Sequence, residues 1–305
     1  MAGIDFTGRV TIVTGAGAGL GRDYALNFAK MGASVVVNDL GGARDGSGAG
    51  AATPADEVVA EIKAAGGEAT ANYDNVAEVE GGENIVKTAI DNYGKVDIVV
   101  NNAGILRDKT FLKMEPANWD IVIAVHLRGA YCVSRPAFDN MKANGYGRIV
   151  MTSSTSGILG QFGQTNYGAA KMGLAGLTNV LKLEGAKYNI KVNALMPTAA
   201  TRLTEDVFSP DAFEKSTVDY VTPAVMYLCS EQCEDTGMYI HAGVGRYSRA
   251  NIVNGLGVKF DAKPTAEDIR DNWDAISSLE DAEYFPNAIE WASFAEGAPV
   301  VKTKK

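Results

Sequence analysis

Tyr167 and Lys171 stand four residues apart in a stretch of helical period, so their side chains emerge on one helix face. A phenol of ordinary pKa, about 10, is too weak a base at neutral pH. An ammonium one turn away favours the phenolate and makes the pair a proton donor and acceptor. With 12 tyrosines and 17 lysines, about 0.7 such pairs are expected by chance, and this chain holds one. Spacing alone therefore decides nothing. Ser154 adds weight, because it lies thirteen residues upstream, where a β-rich run ends, and brings a hydroxyl to the end of a sheet where ligands bind.

A second constellation is made of glycines. Thr14-Gly15-Ala16-Gly17-Ala18-Gly19-Leu20-Gly21 follows an apolar run and opens a segment in which Leu20, Tyr24 and Phe28 recur at helical period. Glycines there let the backbone approach a pyrophosphate, and free N–H groups at a helix start hold its charge. Gly42, Gly46 and Gly48 repeat the spacing, but no apolar helix face follows them, so Gly41 to Thr53 reads as a loop beside the site. Asp39, 20 residues beyond Gly19, ends the second run, where a carboxylate accepts hydrogen bonds from ribose hydroxyls and repels a 2′-phosphate. The expected cofactor is NAD rather than NADP, with Arg22 and Arg44 as the residues that argue otherwise.

Both constellations need a scaffold that places strand ends together. Seven short β-rich runs, Val10 to Val13, Ser34 to Asn38, Glu68 to Ala71, Val96 to Val100, Arg148 to Thr152, Lys191 to Leu195 and Met238 to His241, alternate with helical segments. The helices are expected near Gly21 to Met31, Pro54 to Ala65, Glu83 to Asn92, Trp119 to Asn144, Gln164 to Tyr188 and Pro223 to Ser230. This alternation predicts an α/β chain with a doubly wound, seven-stranded parallel sheet that binds ligands beyond the carboxyl ends of its strands. After Gly243 it stops. One domain over residues 1–245 is expected, with a helical extension over 246–305 packed on the same domain or on a subunit neighbour. In that extension Thr265 to Asp268 reads as the cap of a helix carrying Ile269, Trp273 and Ile276 on one face.

The 305 residues carry a net charge of −9, which gives no basic field for nucleic acid. Three cysteines, Cys132, Cys229 and Cys233, and two histidines, His126 and His241, make neither a disulfide framework nor a conventional zinc site. No metal is expected. Cys229 and Cys233 share a face of a predicted helix and read as core packing. The chain has no apolar run of about 18 residues, no signal-like start and no Ser-Lys-Leu end, so a cytoplasmic location away from membranes is expected.

Thr14 to Gly21, Asp39, Asp74-Asn75-Val76, Asn101-Asn102-Ala103-Gly104, Ser153-Ser154, Tyr167 to Lys171, Val192-Asn193 and Pro197 follow one another in the order of a known family. In them the chain resembles a short-chain dehydrogenase/reductase over residues 5–245. The resemblance implies a Rossmann-type fold and hydride transfer between a nicotinamide and a carbinol or carbonyl carbon, without metal. It implies that Tyr167 is the acid and base, that Ser154 orients the substrate oxygen, and that Lys171 binds the nicotinamide ribose and lowers the Tyr167 pKa. It also implies cofactor contacts from Gly15, Gly19, Leu20, Gly21, Asp39, Asp74, Asn75, Asn101 and Ala103, and from the turn Ala199 to Arg202, which includes Ala200 and Thr201. In that turn Thr198 and Arg202 depart from the family's usual Gly and Thr. His126 stands where most of the family has an asparagine that helps relay protons. A titrating imidazole there makes the rate pH-dependent near 6 to 7, a hydrogen-bonded structural one does not, and both readings stay open.

Asn38 to Gly42, Ala71 to Asp74, Asn101 to Asp108 and Val125 to Gly129 resemble more closely the D-3-hydroxyacyl-CoA dehydrogenase unit of the peroxisomal D-bifunctional enzyme, which also acts on 17β-hydroxysteroids. The implied substrate is a 3-hydroxyacyl-CoA, with a hydroxysteroid as the alternative and a homodimer or homotetramer as the assembly. A reading of a different class is a dinucleotide-binding regulator without turnover. Arg107, Lys109 and Lys113 are read as solvated charges, with a CoA phosphate as their other possible partner. Substrate choice is expected in Leu159 to Gln164 and Thr201 to Lys215.

Overall fold

The computed structural model describes residues 3–48, 53–200 and 216–300. Its first half runs β1 (Val10–Thr14), α1 (Gly19–Lys30), β2 (Ser34–Asn38), α2 (Thr53–Ala64), β3 (Glu68–Asn72), α3 (Val79–Tyr93) and β4 (Ile98–Asn101). Then come α4 (Pro116–Ile123), α5 (Gly129–Asn144), β5 (Gly147–Thr152), α6 (Thr155–Ile158), α7 (Thr165–Gly185), β6 (Ile190–Thr198), α8 (Thr222–Cys229), β7 (Tyr239–Gly243) and β8 (Arg246–Ala250). The strand order is β3-β2-β1-β4-β5-β6-β7-β8, and every neighbouring pair from β3 to β7 is parallel. Strands such as Val-Val-Val in β2 and Ile-Val-Val in β4 are buried on both faces, so they read as apolar runs rather than alternations. The order reverses between β1 and β4, which opens a crevice at their carboxyl ends.

On one face of the sheet Tyr24, Ala25 and Phe28 of α1 pack on Val13, Val35 and Val37, while Leu20 is half-buried at the rim. The helical period read from the sequence thus marks the inward stripe of α1. Cys229 and Cys233 are both buried in this core, but α8 ends at Cys229, so they do not share a helix face as expected.

Three expectations need correction. The sheet has eight strands: β8 follows β7 through the two-residue turn Val244-Gly245, whose φ angles of 51° and 71° are those of a tight hairpin. A β-branched valine is a poor candidate for a positive φ, which hid the hairpin from a reading by composition. Compact units divide at the last residue of β8 rather than at 245, as Met1–Arg249 and Ala250–Lys305. The single helix expected over Trp119 to Asn144 is interrupted by a π-helical turn, Ala124–Arg128, which carries His126 into the interior.

The second unit holds three short helices, α9 (Ala266–Asp271), α10 (Trp273–Ser277) and α11 (Ala288–Glu296). Thr265 and Asp268 form the expected capping box, but the helix stops at Asn272, which splits the predicted face of Ile269, Trp273 and Ile276. None of its described residues is buried. Among the described residues no helix is long and apolar enough to cross a membrane.

Candidate active site

The glycine turn joins β1 to α1 at the crevice. Gly15 and Gly19 have φ of 62° and 55°, and a Cβ on Gly15 would lie 2.8 Å from the Ala103 Cα, so the turn rests on the chain leaving β4. A side chain at Gly21 would collide with the Gly15 carbonyl oxygen and the Asn102 amide. The amino end of α1 has no side-chain cap and no acidic residue in its first turn, which leaves N–H groups and the helix dipole for an anion. These features fit a pyrophosphate. Asp39 sits beside the turn: one carboxylate oxygen accepts the Gly17 N–H at 2.8 Å and the other the Gly41 N–H at 2.7 Å.

Two motif residues to which the sequence reading gave no role of their own hold the turn. Asn102 Nδ2 donates to the carbonyls of Thr14 and Gly15 at 3.0 and 3.1 Å, while Thr14 Oγ1 accepts the N–H groups of Asn102 and Ala103 at 3.0 and 3.1 Å. The neighbouring Asn101, named instead, turns inward, with its Nδ2 on Ser134 Oγ at 2.9 Å and Met151 Sδ at 3.3 Å. The motif gave the right place and strand alternation decides which asparagine faces the turn. Asp74 and Asn75 lie just past β3, two strands from β1. The Asp74 carboxylate accepts from Asn72 and Asn84 at 2.7 and 3.2 Å, and Asn75 Oδ1 accepts the Ala77 N–H at 3.0 Å, so both are held by local bonds at the start of the turn into α3. Ala200 is tied through its N–H to the Ser216 carbonyl at 2.5 Å. Thr201, Arg202 and the rest of the expected substrate segment lie outside the described residues.

The chemical trio gathers beyond β5. Ser154 caps α6, its Oγ accepting the Ser156 N–H at 3.1 Å, and its hydroxyl is near enough to the Tyr167 phenol to pull its pKa down. Ser153 Oγ donates to the Lys171 carbonyl at 2.8 Å and staples β5 to α7. Asn166 fixes the start of α7: it is fully buried, donates to the carbonyls of Arg107 and Asn118, and accepts the Tyr167 N–H. Lys171, one turn on, is only 3% exposed, and its Nζ donates to the Thr152 carbonyl at 2.5 Å. The ammonium lies 5.3 Å from the Tyr167 ring centroid, and the His126 ring meets Tyr167 edge to face at 5.2 Å.

Burial dominates the electrostatics here. Burial pushes the Tyr167 phenol up to about 12; the hydrogen bond with Ser154 pulls it back and the Asp108 carboxylate raises it further. Burial brings the Lys171 amine itself down to about 7, and one of its three donors is held by Thr152. His126 is buried, and burial with Lys171 nearby holds its imidazole well below the usual 6.5, against the Ile105 backbone contact. The titrating reading of His126 gives way to the structural one at neutral pH. Its Nε2 meets both the Ile105 N–H at 3.0 Å and the Ile105 carbonyl at 2.8 Å, so either neutral tautomer is satisfied there. Gly104 has no room for a side chain because the imidazole Cε1 lies 2.5 Å from where a Cβ would stand. His126 Nδ1 has no protein partner, and it borders a pocket about the size of one water, lined also by Asn101, Ala103 and Lys171.

At the mouth, two loops are joined by a bridge between Lys109 and Gln164 and by the Gln164 amide on the Asp108 carboxylate at 2.7 Å. They expose Phe111, Leu112, Leu159 and Phe162, beside the exposed side chains of Lys109 and Lys113. Arg107 is not a solvated charge, since it bonds the Asp45 carbonyl at 2.7 Å and Asn118 Oδ1 at 3.3 Å.

Comparison with known proteins agrees with this geometry. The family described as short chain dehydrogenase matches residues 9–211. A Mycobacterium tuberculosis protein named as a short-chain type dehydrogenase/reductase is 56% identical over 275 residues, which cover 90% of this chain and 96% of that one. Another from that organism, named hydroxyacyl-CoA dehydrogenase, is 41% identical over 72% of this chain and 70% of its own. The structure of the full-length peroxisomal multifunctional enzyme type 2 of Drosophila melanogaster superposes with a TM-score of 0.80 at 40% identity, covering 96% of this chain and 49% of that one. The chain thus spans about half the length of that enzyme. A 7α-hydroxysteroid dehydrogenase, solved with NADH and a 7-oxo bile acid, gives a TM-score of 0.70 at 29% identity over 79% of this chain and 95% of that one.

Proposed function

The chain belongs to the short chain dehydrogenase family, and from that premise we propose that it moves a hydride between NAD(H) and the carbinol or ketone carbon of a 3-hydroxyacyl thioester. It is an oxidoreductase of CH–OH groups with a nicotinamide dinucleotide cofactor. That cofactor, when bound, accepts or returns the hydride. The observation that carries the reading is the gathering of Ser154, Tyr167 and buried Lys171, its ammonium 5.3 Å from the Tyr167 ring centroid, at the same end of the sheet as the glycine turn.

In this reading Ser154 holds the substrate oxygen and Tyr167 exchanges its proton. Lys171 contributes its ammonium to the ribose side, and His126 shapes the pocket behind them. The Gly15–Gly21 backbone holds the pyrophosphate. Asp39 favours NAD: its oxygens have lone pairs left after Gly17 and Gly41, which ribose hydroxyls can use and a 2′-phosphate cannot. Acyl-CoA is preferred as substrate because exposed Phe111, Leu112, Leu159 and Phe162 offer apolar surface to an acyl chain, beside Lys109 and Lys113 for phosphates. A hydroxysteroid is the second reading, supported by the likeness to the 7α-hydroxysteroid enzyme. A homodimer or homotetramer is proposed on Tyr131, Val180 and Leu183, which α5 and α7 leave about half exposed.

NADH formation from NAD with a panel of 3-hydroxyacyl-CoA thioesters and hydroxysteroids tests the activity. Thioesters are expected to give the higher kcat/KM. Faster steroid turnover would favour the second reading, and NAD binding with no turnover on any alcohol would favour the silent regulator. Light scattering tests the assembly, and a mass near 32.1 kDa would reject it.

A further inference from the structure

The loop Gly41–Gly48 leaves β2 and does not simply return to α2. Its tip hydrogen-bonds to the chain beyond β4: the Leu106 N–H donates to the Arg44 carbonyl at 3.1 Å, and Arg107 Nε donates to the Asp45 carbonyl at 2.7 Å. In the sheet β1 lies between β2 and β4, so a segment that joins the carboxyl ends of those two strands crosses the carboxyl end of β1, where the glycine turn begins. Its root is tied to that turn through Asp39, which accepts the N–H groups of both Gly17 and Gly41. The tip is internally braced by the bonds Ala43 N–H to Ser47 carbonyl, Gly46 N–H to Ala43 carbonyl and Ser47 to the Asp45 carboxylate.

The far side of the latch leads to the chemistry. Arg107 Nη1 donates to Asn118 Oδ1 at 3.3 Å, and the Arg107 carbonyl accepts from Asn166 Nδ2 at 3.1 Å. Asn166 in turn accepts the Tyr167 N–H at 2.8 Å. One arginine therefore joins the loop over the cofactor seat to the first turn of the helix that bears Tyr167.

We propose that Gly41–Gly48 is a strap across the dinucleotide crevice, latched by Arg107, and that Arg107 is a positioning residue coupling cofactor occupancy to the placement of Tyr167. The inference rests on the dinucleotide reading of the glycine turn. Gly41, Gly46 and Gly48, with φ of 76°, 77° and 90°, give the strap the backbone freedom to lift, and the cofactor leaves when the latch opens.

The test is NADH release followed by stopped-flow fluorescence, with hydrogen exchange of the amides of Ala43, Gly46 and Leu106. Arg107→Ala should speed release about tenfold and expose those amides, and Arg107→Lys, which keeps a donor for Asp45, should restore part of the effect. Gly46→Ala opens the strap from its other side, because its Cβ meets Ile105 Cδ1 at 3.0 Å on a backbone that disfavours any side chain. It should accelerate release in the same direction while leaving Arg107 in place, and so replaces Arg107→Ala if that variant does not fold. Release rates and exchange unchanged in both Arg107→Ala and Gly46→Ala would overturn the strap. Failure of the wild type to bind NADH at all would overturn the dinucleotide reading beneath it.

Discussion

The two ends of the parallel sheet treat buried charge in opposite ways. At the amino ends, Asp97 is 1% exposed and fully employed, accepting Arg9 at 3.0 Å, Lys95 at 2.9 Å and the Val10 N–H at 2.9 Å. Arg148 there donates to the carbonyls of Gly147, Asn189 and Ser230, and the Tyr146 ring lies 3.6 Å from the Arg9 guanidinium and 4.4 Å from that of Arg148. At the carboxyl ends, among the described residues, Lys171 has one carbonyl and no carboxylate, His126 keeps an unpartnered nitrogen, and the Tyr167 phenol is buried beside Ser154. A charge with all its partners fixes structure, whereas one left partly unsatisfied in a dry site retains the freedom to change protonation state. The same fold therefore separates stability from chemistry by about the length of a strand.

Lys171→Met should break the chemical end while sparing the structural one. A loss of about 10³ in kcat is expected, with no loss of stability at pH 7. The sign follows from burial: the amine is held at about 7 in the fold against 10.5 for the free side chain. Between those values the unfolded chain carries one more proton, so wild-type stability rises with pH across the window, and the slope should disappear in the variant. Urea unfolding at several pH values across that range reads the slope, and steady-state turnover reads the loss in kcat.

Asp97→Ala is the converse. It leaves Lys95 and the Val10 N–H without their carboxylate and Arg9 with Glu231 as its remaining carboxylate, and should cost about 3 kcal/mol of folding stability, read from the denaturation midpoint. The kcat/KM of the folded fraction should stay within about twofold of wild type, because the site is far away. A large kinetic defect at full folding would show that the two ends are not separate.

Asp39 sharpens the contrast, since it is a paired carboxylate at the chemical end. Asp39→Ala should move the NADP to NAD preference by about tenfold toward NADP and weaken NAD, whose glycine turn loses a staple. Faster turnover with NADP in the wild type would refute the cofactor assignment. The smallest expected signal is from His126. With its pKa held well below 6.5, its ring resonances should not titrate between about pH 6 and 8. The chain has two histidines, so a spectrum of a His241→Gln variant isolates it.

Much of this was legible in the sequence, for reasons tied to particular residues. Val-rich strands buried on both faces and the stripe Tyr24–Phe28 carry their own period, so the sheet and α1 could be read directly. Glycines at 15, 19 and 21 answer to steric needs that a sequence displays. Other features depend on three-dimensional partners. The π turn at Ala124–Arg128 has ordinary helix-forming residues around it, and nothing in their types marks the extra residue that turns His126 inward. Asn102 and Asn101 are chemically identical, and only register separates the one that grips the turn from the one that points to Ser134. The Lys171 anchor is the Thr152 backbone, which no side-chain pattern records.

The most direct trial of the central claim is single-turnover hydride transfer in Tyr167→Phe, alongside calorimetric NADH binding. Removing only the hydroxyl that meets Ser154 should leave cofactor affinity within about threefold of wild type while slowing transfer by roughly 10³ to 10⁴. A variant that transfers hydride at the wild-type rate, with its cofactor bound equally well, would contradict the assignment of Tyr167 as the group that moves the proton.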